Sequence, residues 1–346
     1  MAQKRNQDKD ITIVPVGTGA ALREDEIDAW YAVQTACAAA DTPDGEAEDR
    51  ARVATVLRVD RAGIRTPRWI ARDAHGTAVG TAALVLFDHE GRRHVARINV
   101  QVHPGRRRQG VGSALLLTAR AAAEADGRTS LSGHTSTAEP GAVDRFLERH
   151  GYTHELTVHR LLLQVAHCDQ DELRNTVKAA SPGYHLARWQ GVVPADLAAA
   201  FVHARNAFGD QPTQGLDNGA TVWDEDRVRD LAVNHAARGD TLLTVAALFE
   251  DEQGLEAVAG FSEIVLPGGS SRRAEQSDTA VVREHRGRGL GLWVKAAMLQ
   301  WLLGAHPEVT EVVTFCVDSN RHMIAINEQL GFQLDGRDRY FQLLLK

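Results

Sequence analysis

Val102-His103-Pro104-Gly105-Arg106-Arg107-Arg108-Gln109-Gly110-Val111-Gly112 and Val281-Val282-Arg283-Glu284-His285-Arg286-Gly287-Arg288-Gly289-Leu290-Gly291 are one phrase written twice. Val, then Arg, then Gly-x-Gly fall at the same spacing in both copies. Each copy follows a run that reads as a strand and opens a run with helical spacing. The first N–H groups of a helix have no intrahelical partner, and the helix dipole is positive there. Glycine lets that backbone come close to a phosphate, so each copy predicts an anion cradle. Arg107 and Arg108, or Arg286 and Arg288, are placed to add charge to a pyrophosphate. A repeated unit of this kind predicts two domains of one type.

The flanks of both copies carry the same order of elements. In the first half, strands are expected at 11–16, 68–71, 78–87, 94–102, 131–134 and 156–165, with helices at 24–40, 111–125 and 142–150. In the second half, strands are expected at 184–189, 241–249, 256–266, 275–282, 309–317 and 340–345. Its helices fall at 194–207, 226–238, 290–303 and 323–330. Gly151 and Gly331 stand where a C-cap glycine would end a helix. A long irregular stretch at 208–224 has the length of a functional loop. The polar segment 167–183, with Ser181-Pro182-Gly183, divides the chain into domains 10–167 and 183–346.

The bulk numbers narrow the classes. A chain of 346 residues holds two ordinary domains. A net charge of −7 argues against a nucleic-acid partner and suits a cationic small substrate. Cys37, Cys168 and Cys316 are scattered, without metal or redox spacing, which points to a reducing cytoplasm. The 15 histidines form no HExxH array, so no metal is expected. No apolar run reaches membrane-spanning length, and the polar residues 1–10 read as a frayed tail.

Two familiar phosphate motifs fail. A P-loop needs Gly-Lys-Ser/Thr, which neither copy has. A dinucleotide turn needs a third glycine, and Leu115 and Val294 stand in its place. Arg107-Arg108-Gln109-Gly110-Val111-Gly112 and Arg286-Gly287-Arg288-Gly289-Leu290-Gly291 instead resemble the pyrophosphate motif of the GNAT family, Arg/Gln-x-x-Gly-x-Gly/Ala. GNAT proteins are acyl-CoA-dependent N-acetyltransferases. Asn320 with Gly331-Phe332 resembles the family's later element. Gly151-Tyr152 matches its end in the first half, where Pro140 takes the asparagine's place. The resemblance spans nearly the whole chain and is to tandem members.

That resemblance implies an α/β (α+β) fold of two GNAT-like domains, each a mixed, mostly antiparallel sheet flanked by helices. It implies acetyl-CoA as cosubstrate, held in a splayed gap between two strands. Val102 or Val281 would bind the pantetheine arm through its backbone. The glycine-turn residues Arg107–Gly112 and Arg286–Gly291, with Asn320, would bind the rest. An amine would attack the thioester directly, without metal or covalent enzyme intermediate.

An amine attacks only when neutral, so a base is needed near neutral pH. Glu275, on the strand before the second copy, is the candidate, with Asp278 beside it. Aligned without gaps, the first half has Ala96 and Asn99 in these places. The family's proton-donating tyrosine lies four residues before the final glycine, where this chain has Leu147 and Asn327. Cys316 reads as a buried strand cysteine, Met323 as core, and Trp223, Trp293 and Trp301 as packing. His103, His285 and His322 have both exposed and ligand-touching readings. The C-terminal half, with its cradle, Asn320 and a strand carboxylate, is the expected catalytic half. The acceptor expected is a small primary amine. The alternatives are a protein or peptide amine, a CoA-binding sensor or scaffold without chemistry, and a dinucleotide-binding protein. The oligomeric state is left open.

Overall fold

The computed structural model describes residues 11–42, 48–59, 61–136, 141–179, 181–206, 214–250, 254–269 and 272–345. The first half runs β1 (Thr12–Pro15), α1 (Glu24–Asp41), α2 (Arg50–Arg58), β2 (Ile64–Arg65), β3 (Arg68–Arg72), β4 (Ala78–Phe87), β5 (Val95–Val102), α3 (Val111–Ala125), β6 (Ser130–Thr135), α4 (Ala142–Arg149) and β7 (Thr153–Gln164). After α5 (Gln170–Lys178), the second half runs β8 (His185–Gln190), α6 (Ala198–Asn206), α7 (Glu225–Ala237), β9 (Thr241–Glu250), β10 (Glu256–Leu266), β11 (Arg273–Val281), α8 (Leu290–Ala305), β12 (Glu311–Val317), α9 (Arg321–Gln329) and β13 (Gln333–Leu344).

Among the described residues, the two expected sheets are joined into one, of 13 strands. Its order is β1-β3-β4-β5-β6-β13-β7-β12-β11-β10-β9-β8, with β2 pairing β4. The centre holds an exchange. The last strand of the chain, β13, pairs β6 of the first half, while β7 of the first half pairs β12 of the second. A buried bidentate ion pair fixes the exchange: Arg339 of β13 donates to both oxygens of Asp144 in α4, at 3.0 and 2.9 Å. Asp144 also caps the start of α4 through the Gly141 N–H. Arg52 of α2 makes a second, largely buried link to Asp240, at 2.6 Å.

Two helices were not foreseen. Asp49 caps α2, whose Val53, Ala54 and Leu57 pack into a core with Ile27 of α1. The segment expected to be a polar boundary contains α5, whose Leu173 enters the core around α8. The indole N–H of Trp293 donates to the Val177 carbonyl at 2.9 Å and ties α5 to α8. Both helices are short, so one apolar stripe of two or three residues carries them, too brief a pattern to stand out.

The geometry that builds the sites occurs twice. β5 and β6 run parallel and pair from Val95↔Ser130 to Arg97↔Ser132, then stop although both strands continue. β11 and β12 do the same from Arg273↔Glu311 to Gln276↔Thr314. Beyond these points the strands diverge, and each gap opens toward a glycine turn. A bulge marks one copy only. β11 carries an extra residue against β10 between Ser262 and Ile264, whereas β5 pairs β4 without a shift. A bulge re-aims side chains. Matching the two parallel ladders puts Arg97, and not Ala96, in the place of Glu275.

Candidate functional site

Both glycine turns enter their helices alike. Gly110 and Gly289 are the N-cap residues of α3 and α8, with φ of 90° and 76°. A Cβ at either would meet nothing within 4 Å, so the helix N-termini face open space. Val111 and Leu290, the first helical residues, turn inward and are buried; Gly112 and Gly291 follow them into the helix. Such a row of backbone donors fits a pyrophosphate. The copies differ one step earlier. Arg108 holds a left-handed φ of 63°, where the second copy has Gly287 at 77°. Outside glycine, that conformation costs about 1–2 kcal/mol.

The motif arginines point back onto the strand. Arg107 Nε donates to the Val102 carbonyl at 3.1 Å, and Arg286 Nε to the Val281 carbonyl at 3.0 Å. In the first half, Arg107 is also clamped by both oxygens of Asp41, at 2.8 and 2.6 Å, and the Cys37 thiol donates to the Val102 carbonyl. Gln109 bonds back to the Gly105 carbonyl, and the Arg288 carbonyl accepts from Ser181. His285 is engaged by the Tyr184 hydroxyl at 2.8 Å, and His103 Nδ1 accepts from the Gly105 N–H. Pro140 lies outside the described residues, as do 208–213 of the expected long loop. Residues 214–224 of that loop are irregular and dock on the first half, where Ala220 N–H donates to the Gly91 carbonyl and His94 meets Asp217 at 3.0 Å.

The gap between β11 and β12 is a cavity of about 190 Å³. Glu275 and Asp278 line it from β11, Thr314 and Cys316 from β12, Asn320 and Met323 from the α9 end, and Lys295 from α8. The structure thus brings Glu275, Asp278 and Asn320 together. Asn320 also caps α9, its Oδ1 accepting from Met323 N–H at 3.2 Å. Glu275 is exposed as a residue, yet desolvation of its carboxyl raises it above the usual range. Asp278 is raised by burial too, against the pull of Arg205.

Arg205 and Glu263 were missed by sequence reading. The Arg205 guanidinium bonds Glu263 and reaches Asp278 Oδ2 at 3.2 Å, and it stacks over Trp223 at 4.1 Å. Arg205 and Glu263 have side chains only 2% exposed, and burial raises the Glu263 carboxyl. The two carboxyls share one cation, and burial holds both above the usual carboxylate range against its pull.

The first half offers different chemistry at the matching place. Arg97 Nε is buried with no hydrogen-bond partner among the described residues. Arg92 and Arg97 flank the Phe87 ring, at 3.8 and 6.0 Å from its centre. Burial, then the neighbouring arginines, bring Arg92 down to about 10 and lower Arg61. This cationic group adjoins the second half: Arg61 feels Arg238, and half-buried Tyr340 lies in the fields of Arg97, Asp338 and Glu275.

Comparison with known proteins agrees with this geometry. The acetyltransferase (GNAT) domain model matches residues 66–154, and the acetyltransferase (GNAT) family model matches 210–332. Among solved structures, a tandem GNAT protein from the clavulanic acid biosynthesis pathway is 27% identical, with 97% of this chain and 98% of that one covered and a TM-score of 0.79. A GCN5-related N-acetyltransferase from Sphaerobacter thermophilus is 15% identical over 96% and 95%, with a TM-score of 0.66. A glucosamine N-acetyltransferase region of a fungal multi-domain β-N-acetylglucosaminidase is 15% identical over 97% and 38%, with a TM-score of 0.64. No curated protein matches significantly. Diverging parallel strands that open on a glycine turn define the acyl-CoA-dependent acetyltransferase class. The chain belongs to the GNAT family and carries two of its domains in tandem. Among the described residues, no helix is long and apolar enough to cross a membrane.

Proposed function

We propose that the C-terminal half transfers an acetyl group from acetyl-CoA to the primary amine of a small molecule, by direct attack of the amine on the thioester. One observation carries this reading: the cavity beside the second glycine turn is lined by Glu275, Asp278 and Asn320 together. The backbone donors at Gly289–Gly291 would hold the pyrophosphate, and the divergent edge of β11 up to Val281 the pantetheine. Glu275 or Asp278 then takes the amine proton; their raised carboxyls suit a base working near neutral pH. The functional units are 10–167 and 183–346, with β7 and β13 exchanged between them. Three free cysteines suit a reducing cytoplasm.

The first half would serve as a scaffold that completes the acceptor groove. Its Arg61, Arg92 and Arg97 favour an acceptor that carries a carboxylate or phosphate as well as the amine. A second reading, a CoA-binding sensor, draws on the missing tyrosines at Leu147 and Asn327. Thiol release from acetyl-CoA with a panel of small amines separates the two. Amine-dependent release supports transfer; CoA binding without release for any amine or peptide would favour the sensor.

A further inference from the structure

Between Leu290 and Ala305, α8 carries a single charged residue, Lys295. It is 1% exposed, and its Nζ lies 5.5 Å from the centre of the Phe332 ring. It has no hydrogen-bond or ion-pair partner among the described residues. A buried lysine without a partner is costly and calls for an explanation. Its position supplies one, because Lys295 lines the cavity between β11 and β12. In the first half the residue at the same distance from the glycine turn is Leu116, buried in an apolar cluster.

The transfer also needs an acid. As the new C–N bond forms, the C–S bond breaks and the sulfur leaves as a thiolate that must be protonated. Asn327 stands where the family's tyrosine would supply that proton. It is 1% exposed, and both atoms of its side-chain amide lack partners among the described residues. An amide has no readily transferable proton. We propose that Lys295 is the catalytic acid of the C-terminal half, passing an Nζ proton to the departing CoA sulfur. This rests on the reading that acetyl transfer occurs there.

The proton balance closes without a further reactant. The acceptor nitrogen loses its proton to the Glu275 and Asp278 side of the cavity, the sulfur gains one from Lys295, and exchange with solvent resets both groups. Burial brings Lys295 down to about 7, with Cys316 on β12 the one ionisable neighbour whose field opposes this. Burial also pushes the Cys316 thiol up to about 11, so it stays neutral beside the lysine. An acid that titrates near the working pH is well matched to proton transfer.

The chain has five lysines, Lys4, Lys9, Lys178, Lys295 and Lys346, so lysine labelled with ¹³C at Cε is assignable by substitution. In the full chain, one Cε resonance is expected to titrate near 7, to vanish in Lys295→Met, and to move when CoA is added. Lys295→Met should lower kcat with acetyl-CoA by about 100-fold while changing the KM for acetyl-CoA less than about twofold. With p-nitrothiophenyl acetate, whose acidic thiol leaves unaided, the loss should fall below about threefold. Lys295→Arg keeps the charge but holds its proton, and should not restore the rate. A Lys295 titration near 10 with and without CoA, or an equal loss with both donors, would overturn the proposal. If Gly289→Val also leaves turnover intact, the reading of the C-terminal half fails, and Lys295 with it; if only Gly289→Val abolishes turnover, that reading stands and Lys295 alone is wrong.

Discussion

The two halves share a sheet, a splay and a glycine turn, and differ in what they bury beside them. At two matched positions the first half has Leu116 and Leu147, and the second has Lys295 and Asn327. On the matched strands the first half has Arg97 and a regular ladder, the second Glu275 and a bulge. In the first turn Arg107 is held by Asp41; in the second, ionisable groups converge on a cavity. A buried polar group without a partner destabilises a fold. Both halves keep such groups among the described residues: Arg97, Ser130 and Tyr152 in the first, and in the second Asn327 and Gln276, the latter lining the cavity. The family explains what the halves have in common; the buried differences are the ground on which the proposed reaction is placed in the second.

The largest effect should come from the element the halves share. Arg339→Ala leaves Asp144 buried and unpaired, which costs about 3–5 kcal/mol. Because β13 lies between the halves, both should lose stability in one transition, monitored by thermal unfolding and by CoA binding. Loss confined to the first half would break the picture of a single joined sheet.

The next contrast is at Lys295, where the substitution that harms turnover should help folding. Its pKa is about 7 in the fold and near 10.5 when unfolded. The unfolded chain therefore holds more protons between those values, so this lysine's destabilisation is complete below pH 7 and fades as pH rises toward 10.5. Lys295→Met is expected to gain about 2–4 kcal/mol at pH 6 and little near pH 10, by denaturant titration. Leu116→Met in the first half should show no such pH dependence.

Arg97 sharpens the comparison at the acceptor groove. Arg97→Ala should raise KM about tenfold for amines that carry a carboxylate, the loss of one charge-assisted contact, and leave neutral amines unchanged. Equal effects on both would remove the anion-binding role. The smallest effect is at the turns: Arg108→Gly relieves a left-handed backbone at 63° and should stabilise by about 0.5–1 kcal/mol. The matched Gly287→Arg should cost a similar amount.

Much of this was legible in the chain. The repeated phrase located both turns, and the order of strands and helices followed from periodicity and glycine stops. The exchange of β7 and β13 was not, because a period-two pattern shows which face of a strand is buried but not which strand pairs with it. The bulge in β11 slipped the comparison by one residue, so Ala96 rather than Arg97 was set against Glu275. Arg205 and Glu263 gave no local sign, since they meet from α6 and β10. Lys295 did leave one: a lone charge in the apolar stretch 290–305.

The central claim is that one turn serves the reaction and the other does not. Gly289→Val and Gly110→Val test it as a pair, because both residues have positive φ and neither Cβ would meet an atom within 4 Å. The backbone strain is therefore alike, and what differs is the site each new side chain obstructs. In acetyl-CoA turnover, Gly289→Val is expected to lose at least about 100-fold and Gly110→Val less than about threefold. The reverse ranking would place the chemistry in the first half and contradict the assignment.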